Sequence, residues 1–206
     1  VVKAWNGDLV DGETGVVAAD EISRRETTEA SNYAWMLGRC FGFIAGEVDG
    51  VNYYYLSREQ FEEKIRTHGV LEYTEYCGNY YGTPTSEVER AKALGKHLIL
   101  EIEVDGATQI KRQRPDAVLI MVTPPNAAEQ SRRLHSRGRD TEDSIERRLT
   151  RAKAELEYLK NYDYLIINED GRLDKATDDF FAIARAEALR AARRADFAAE
   201  YFGEKK

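Results

Sequence analysis

Hydrophobic and polar positions change period several times along the chain, and each change predicts an element. Asn52–Leu56 (NYYYL) is aromatic and β-prone and predicts a strand. Ser57-Arg-Glu-Gln60 has the S-x-x-[EQ] form of a capping box, with Phe61 and Ile65 four apart on the inner face of the helix it opens. Gly69 is expected to end that helix. Val70–Tyr76 reads as a strand, Gly78–Gly82 as a turn into a short extended piece, and Thr85–Leu94 as a helix stopped by Gly95. Three short apolar runs follow, Leu98–Ile102, Ala117–Val122 and Tyr164–Ile167, of the kind buried on both faces of a parallel sheet. Two helices lie between the last two runs. Asn126 can cap the first, with Glu129 at N3; the second starts near Thr141 and carries Ile145, Leu149, Ala152, Leu156 and Leu159 on one stripe. An Ala- and Arg-rich stretch from Leu173 to about Tyr201 predicts a closing helix or helix pair. Residues 1–46 carry the weakest pattern: a turn-rich Asn6–Gly15, a short candidate strand at 15–19 and mixed helical signals over 20–37. Strands alternating with helices predict an α/β fold, a parallel sheet covered on both sides.

Composition narrows the class. A chain of 206 residues fits one domain, or one domain with a small inserted lobe. Its net charge of −7 argues against a general nucleic-acid binder, which carries a basic excess. No apolar run approaches the roughly 20 residues that span a bilayer, and the first 30 residues hold no apolar signal region. The two cysteines, Cys40 and Cys77, form no C-x-x-C, so neither a disulfide framework nor a Cys-based zinc site is expected, and a reducing cytoplasm is. His68, His97 and His135 have no metal-ligand spacing.

Three clusters hold candidate chemistry. Residues 126–153 contain eight Lys and Arg against five Asp and Glu, about +3 locally. Seven of them are arginines: Arg132, Arg133, Arg137, Arg139, Arg147, Arg148 and Arg151. Guanidinium forks match phosphate oxygens bidentately, while a solvated surface of ion pairs such as Asp143–Arg147 explains the same composition. The lobe Glu72–Thr83 combines carboxylates, tyrosines and threonines. It offers acceptors for the N1–H and amino group of guanine and hydroxyls for a phosphate, or simply a hairpin using Tyr for strand propensity. Glu101-Ile-Glu-Val-Asp105-Gly106 ends an apolar run, where an α/β sheet places its ligands; such acids can hold a base amino group or Mg2+ through water, or form a solvated strand end.

Taken together, "GEVDGVNYYYLSREQF" (46–61), "LEYTEYCGNYYGTP" (71–84), "GKHLILEIEVDGA" (95–107), "VTPP" (122–125), "RRLHSRGRDTEDSIERRL" (132–149) and "YDYLIINED" (162–170) resemble the guanylate kinase family over about 46–185. The resemblance implies a three-layer nucleoside monophosphate kinase-like parallel sheet flanked by helices, a small mixed β lobe for GMP over 47–95, and a core sheet with C-terminal helices over 96–206 whose lid spans about 126–153. It implies phosphoryl transfer, ATP plus GMP to ADP plus GDP with Mg2+, in a cytoplasmic monomer or homodimer without nucleic-acid or membrane partners. By the same resemblance Glu72, Glu103 and Thr83 contact the base, and Tyr53 and Tyr81 hold the GMP phosphate. Arg137 and Arg148 stabilise the transferring phosphate, Arg137 also on the ATP side, and Asn168 lies near the adenine.

The chain departs from the family pattern at its start. No G-x-x-x-x-G-K-[ST] phosphate loop is present, and Lys3 is the only lysine before Lys64. Where the family carries two arginines ahead of G-E-V-x-G, this sequence has Phe41 and Ile44, with Arg39 nearby as a partial substitute. Residues 1–46 are therefore expected to be an atypical segment in place of the phosphate-loop unit, lacking the family's first core strand. The alternative to an enzyme is a catalytically degenerate module binding GMP or a phosphorylated peptide.

Overall fold

The computed structural model describes residues 56–75, 80–136, 138 and 141–204, together with the backbone of 2–4, 35–37, 40–41, 53–54, 76 and 79. In chain order the elements are β1 (Val2–Ala4), β2 (Trp35–Leu37), β3 (Cys40–Phe41), β4 (Tyr53–Tyr54), α1 (Arg58–Arg66), β5 (Val70–Tyr76), β6 (Asn79–Pro84) and α2 (Ser86–Ala93). They continue with β7 (His97–Ile99), α3 (Val104–Gln113), β8 (Ile120–Thr123), α4 (Ala127–Ser136), α5 (Glu142–Leu156), β9 (Tyr164–Ile167), α6 (Leu173–Ala188) and α7 (Phe197–Tyr201).

Parallel strands form the centre. β1, β8 and β9 pair in that order, and β2 pairs with β7. Side chains of β7 show how the layers are made. Ile99 packs with Ile120, Val122, Ile166, Phe180 and Phe181, under α6. Its neighbours Leu98 and Leu100 point the other way, into a cluster with Leu71 and Ile110 of α3. Successive strand residues face opposite sides, so Leu98, Ile99 and Leu100 are all apolar because helices cover both faces, while His97 at the start of the strand is exposed. The expectation that 1–46 supplies no core strand is corrected by β1, whose register sets Val2 beside Ile120 and Ala4 beside Val122. Three residues are too few for a hydrophobic period to declare itself, yet enough to occupy the open edge of β8. The candidate strand at 15–19 lies outside the described residues.

The small lobe is a mixed sheet in the order β4-β3-β6-β5. It reaches back to Cys40 and Phe41, ahead of the boundary expected at 47. α1 closes one face: Phe61 stacks on Tyr80 at 5.0 Å and meets Tyr73 edge-on at 6.5 Å.

Helix boundaries follow local chemistry. The capping box forms in full, Gln60 N–H donating to Ser57 Oγ and Ser57 N–H to Gln60 Oε1. Asn126 Oδ1 accepts from Glu129 N–H at 2.9 Å, and Thr141 Oγ1 from Ser144 N–H at 3.3 Å. α2 stops as expected, with Gly95 at φ +62°. α1 does not: the left-handed residue is His68, at φ 55°, and Gly69 follows it. Gly69 N–H bonds Lys64 C=O and His68 N–H bonds Ile65 C=O, a Schellman closure with histidine in the glycine place. At Gly69, one position later, a Cβ would meet the Lys64 side chain at 3.0 Å, a contact that side chain would have to shift to relieve.

Two further expectations change. The acidic run after β7 is a strand-to-helix turn: Glu103 is the N-cap of α3 and Asp105 sits in its first turn, where a carboxylate complements the helix dipole. The stripe read on α5 is rotated, since Ile145, Ala152 and Glu155 are buried while Leu156 is 41% exposed. Charged residues occupy part of the inner face, so an apolar pattern alone misplaces it.

Candidate active site

β5 and β6 set the first part of the site through their register. Glu72 opposes Thr83, Thr74 opposes Tyr81, and Tyr73 opposes Gly82. Directly opposed residues share a face, so Glu72, Thr83 and Tyr81 lie on one side of the lobe sheet and Tyr73 and Tyr80 on the other. Two adjacent tyrosines thereby part company: Tyr80 enters the aromatic packing on α1, and Tyr81 faces the site.

Glu72 is the most constrained group here. It is 4% exposed, and its Oε1 accepts a 2.7 Å hydrogen bond from the hydroxyl of Thr83, itself fully buried. Among the described residues no cation pairs with it. Burial pushes its carboxyl above the usual carboxylate range, an effect the Thr83 hydroxyl only partly offsets. Gly106, in the first turn of α3, makes the room: a Cβ there would stand 2.6 Å from Glu72 Oε2. Sequence reading assigned Gly106 nothing, although a glycine inside a helical stretch that follows an acidic run is a signal of close approach.

α3 lies along the outer edge of β5. Gln109 accepts from Tyr73 N–H at 3.2 Å and donates to Tyr73 C=O at 2.8 Å, and Gln113 donates to Leu71 C=O at 2.8 Å. An open strand edge presents unpaired N–H and C=O groups; here two glutamines satisfy them and fix Glu72 against the helix that begins at Glu103. Glu72 thus lies against both Thr83 and the turn that Glu103 opens.

The arginine-rich segment is a helical hairpin, α4 and α5, and it divides into roles. Arg132 pairs with Glu129 and Asp170. Arg133 is 5% exposed, pairs with Glu129 at 2.7 Å and donates to Asn168 C=O at 3.0 Å. Held by these two guanidinium groups, the Glu129 carboxyl falls to about 2. Ion pairing thus accounts for part of the cluster. Arg148 lies three residues after buried Ile145 and four before buried Ala152, which puts it on the inner face of α5. Arg151, one turn on, donates to Glu103 Oε2 at 2.9 Å and to Glu155 Oε1 at 3.0 Å. Within the cluster, composition does not separate Arg133 or Arg151 from the other arginines; their i,i+4 carboxylate partners, Glu129 and Glu155, are the signal that does. Arg137 lies outside the described residues, as do Arg39, Ile44 and the side chains of Tyr53 and Phe41.

Asn168 follows the carboxyl end of β9, its N–H extending the ladder to Thr123 C=O at 2.8 Å. It is 3% exposed, and its Oδ1 has no hydrogen-bond partner among the described residues. A buried acceptor left unpaired costs about 1–3 kcal/mol, so Asn168 Oδ1 is a candidate acceptor for a ligand's donor. Its place beyond a strand's carboxyl end is where α/β sheets bind ligands.

Comparison with known proteins agrees with this arrangement. The guanylate kinase family profile matches residues 44–187. A guanylate kinase of Desulfitobacterium hafniense (strain Y51) is 45% identical over 149 residues, 72% of this chain and 74% of the relative. One of Thermus thermophilus is 47% identical over 148 residues, 72% of this chain and 66% of the relative, so the matched part spans two thirds to three quarters of such proteins. The crystal structure of guanylate kinase from Anaplasma phagocytophilum superposes with a TM-score of 0.65 at 25% identity, covering 83% of this chain and 86% of that one. The α/β layers, the mixed lobe and the helical hairpin are therefore those of a nucleoside monophosphate kinase fold, and the chain belongs to the guanylate kinase family.

Proposed function

We propose that the chain binds GMP on the Glu72 face of the lobe and is a phosphotransferase for it, ATP plus GMP giving ADP plus GDP. The observation that carries this is Glu72: a buried carboxylate with a hydroxyl partner and no described cation is costly unless a ligand's donors complete it. The N1–H and amino group of guanine are such donors, with Glu103 as the second acceptor and Thr83 fixing Glu72. Tyr81, on the same face, and Tyr53 offer hydroxyls to the GMP phosphate. Arg148 and Arg137 neutralise charge on the phosphoryl group in flight, since this chemistry depends mostly on positioning and charge neutralisation. Asn168 Oδ1 accepts from the adenine amino group.

Among the described residues no three His, Cys, Asp or Glu side chains gather as a metal cluster. Mg2+ would arrive with ATP, held mainly by phosphate oxygens and water, as this ion commonly is. It would offset charge on those oxygens. Residues 1–46 contain no glycine-rich phosphate loop and take its place in the chain. Losing that cradle costs several kcal/mol of transition-state stabilisation, about 1.4 per tenfold in rate, so binding and turnover should separate.

Calorimetry with GMP, AMP and ATP, beside a coupled assay of ADP formation, tests this. The expected result is GMP binding well above AMP, with turnover slow but dependent on GMP. Equal or absent heats for GMP and AMP would reject the base pocket. GMP binding with neither ATP binding nor ADP formation would assign the chain to the second reading, a GMP-binding module, which the missing phosphate loop favours.

A further inference from the structure

α5 carries Arg148 on its inner face, and one turn later it carries Arg151, whose guanidinium crosses to the N-cap of α3. It holds Glu103 Oε2 at 2.9 Å while its Nε is anchored on Glu155 at 3.0 Å. The Glu155 side chain is only 11% exposed, so the anchor is fixed by packing. Glu103 has a nearer alternative. An N-cap acceptor ordinarily bonds the free N–H groups of its own helix, yet Glu103 makes no such bond. Its carboxylate is turned outward to the arginine. On the other side of the same turn, Gly106 admits the buried carboxylate of Glu72. Two carboxylates therefore flank the first turn of α3, and a cation reaches one of them from the lid hairpin.

We infer that Arg151 is a positioning residue of the base pocket: it fixes Glu103 for the guanine and ties it to the helix that carries Arg148. Each part follows from the contacts. The guanidinium offsets the repulsion between two acceptors that must work side by side. By holding Oε2 it selects one orientation of the Glu103 carboxylate. Because Arg148 and Arg151 share one helix, seating the correct base and placing the phosphate-facing arginine become one event. This rests on the GMP reading of the lobe.

The test is a double-mutant cycle read by calorimetry. GMP and IMP, which lacks the 2-amino group, are titrated into the wild-type chain, Arg151→Gln, Arg151→Lys, Glu103→Asp and the double variant Glu103→Asp/Arg151→Gln, with thermal midpoints checking that each folds. Glu103→Asp keeps the charge but draws it back by one methylene. Arg151→Gln is expected to weaken GMP binding about threefold to fivefold, the worth of one half-exposed ion pair, and to narrow the preference for GMP over IMP. Arg151→Lys should recover most of the loss, and in the Glu103→Asp background the Gln substitution should change little. Unchanged GMP affinity in Arg151→Gln, or the same loss in both backgrounds, overturns the inference. So does equal loss for GMP and IMP, which would mean general loosening. A wild-type chain that binds no GMP fails at the first titration and overturns the base-pocket reading together with this one.

Discussion

Glu72 is a buried carboxyl whose described side-chain partner is the Thr83 hydroxyl. Its folded-state carboxyl lies above the ordinary value, chiefly because it is buried. The folded chain therefore binds this proton more tightly than the unfolded chain. The stability linked to it is complete below the unfolded value and is lost as pH rises through the folded one. Glu72→Gln removes that loss. It is expected to raise the thermal midpoint at pH 8, with the gain vanishing toward pH 4, and to weaken GMP binding roughly ten- to hundredfold, the range of one charge-assisted hydrogen bond. Melting curves across pH, beside a GMP titration, measure both. A midpoint at pH 8 that falls instead would show that the carboxylate is satisfied within the protein. At this scale the sequence singles out Glu72, Thr83, Tyr81 and Asn168, and the fold sets the first three on one sheet face and Asn168 at a strand end. What no single position could reveal was the register that sends Tyr80 to the core and Tyr81 to the site.

Among the elements, the decisive contact is α3 on the edge of β5. Without Gln109 and Gln113, Leu71 and Tyr73 would expose backbone groups on the strand that carries Glu72. The double substitution Gln109→Ala and Gln113→Ala removes three hydrogen bonds, each worth about 1 kcal/mol. It should speed amide exchange at Tyr73 and lower GMP affinity while leaving exchange in β8 and β9 slow. Uniform acceleration across the chain would show that the glutamines support the whole fold. Helix starts were readable because capping residues act within three positions. α3 itself was missed, since its opening, Glu-Val-Asp-Gly, reads equally well as a polar strand end. The α5 stripe was misplaced because Arg148 and Glu155 hold inward positions that an apolar count assigns to leucine.

Across the whole molecule, opposed charges set the pH limits. Glu129 links the hairpin to the chain after β9 through Arg132 and Arg133, which reach Asp170 and the Asn168 carbonyl. Its carboxyl is held at about 2 against an ordinary 4.5, so its contribution is present above the ordinary value and drains away as pH falls toward 2. Glu129→Gln should lower the thermal midpoint at pH 7 and make little difference near pH 2. Equal midpoints at pH 7 would mean that Asp170 alone suffices. The net charge of −7 gave no hint of this local arrangement, because a sum over the chain discards position.

Alternation, caps and motif order were enough to predict parallel strands between helices, a tyrosine-rich lobe, an arginine-rich hairpin and membership of this family, because each is a property of neighbouring residues. Tertiary structure decided which carboxylates Arg132, Arg133 and Arg151 meet. It also decided that Val2–Ala4 joins the core sheet, and that Arg151 meets Glu103 across 48 positions. Those outcomes depend on strand register and helix rotation, which are settled by contacts between segments far apart in the chain and leave no period in either one.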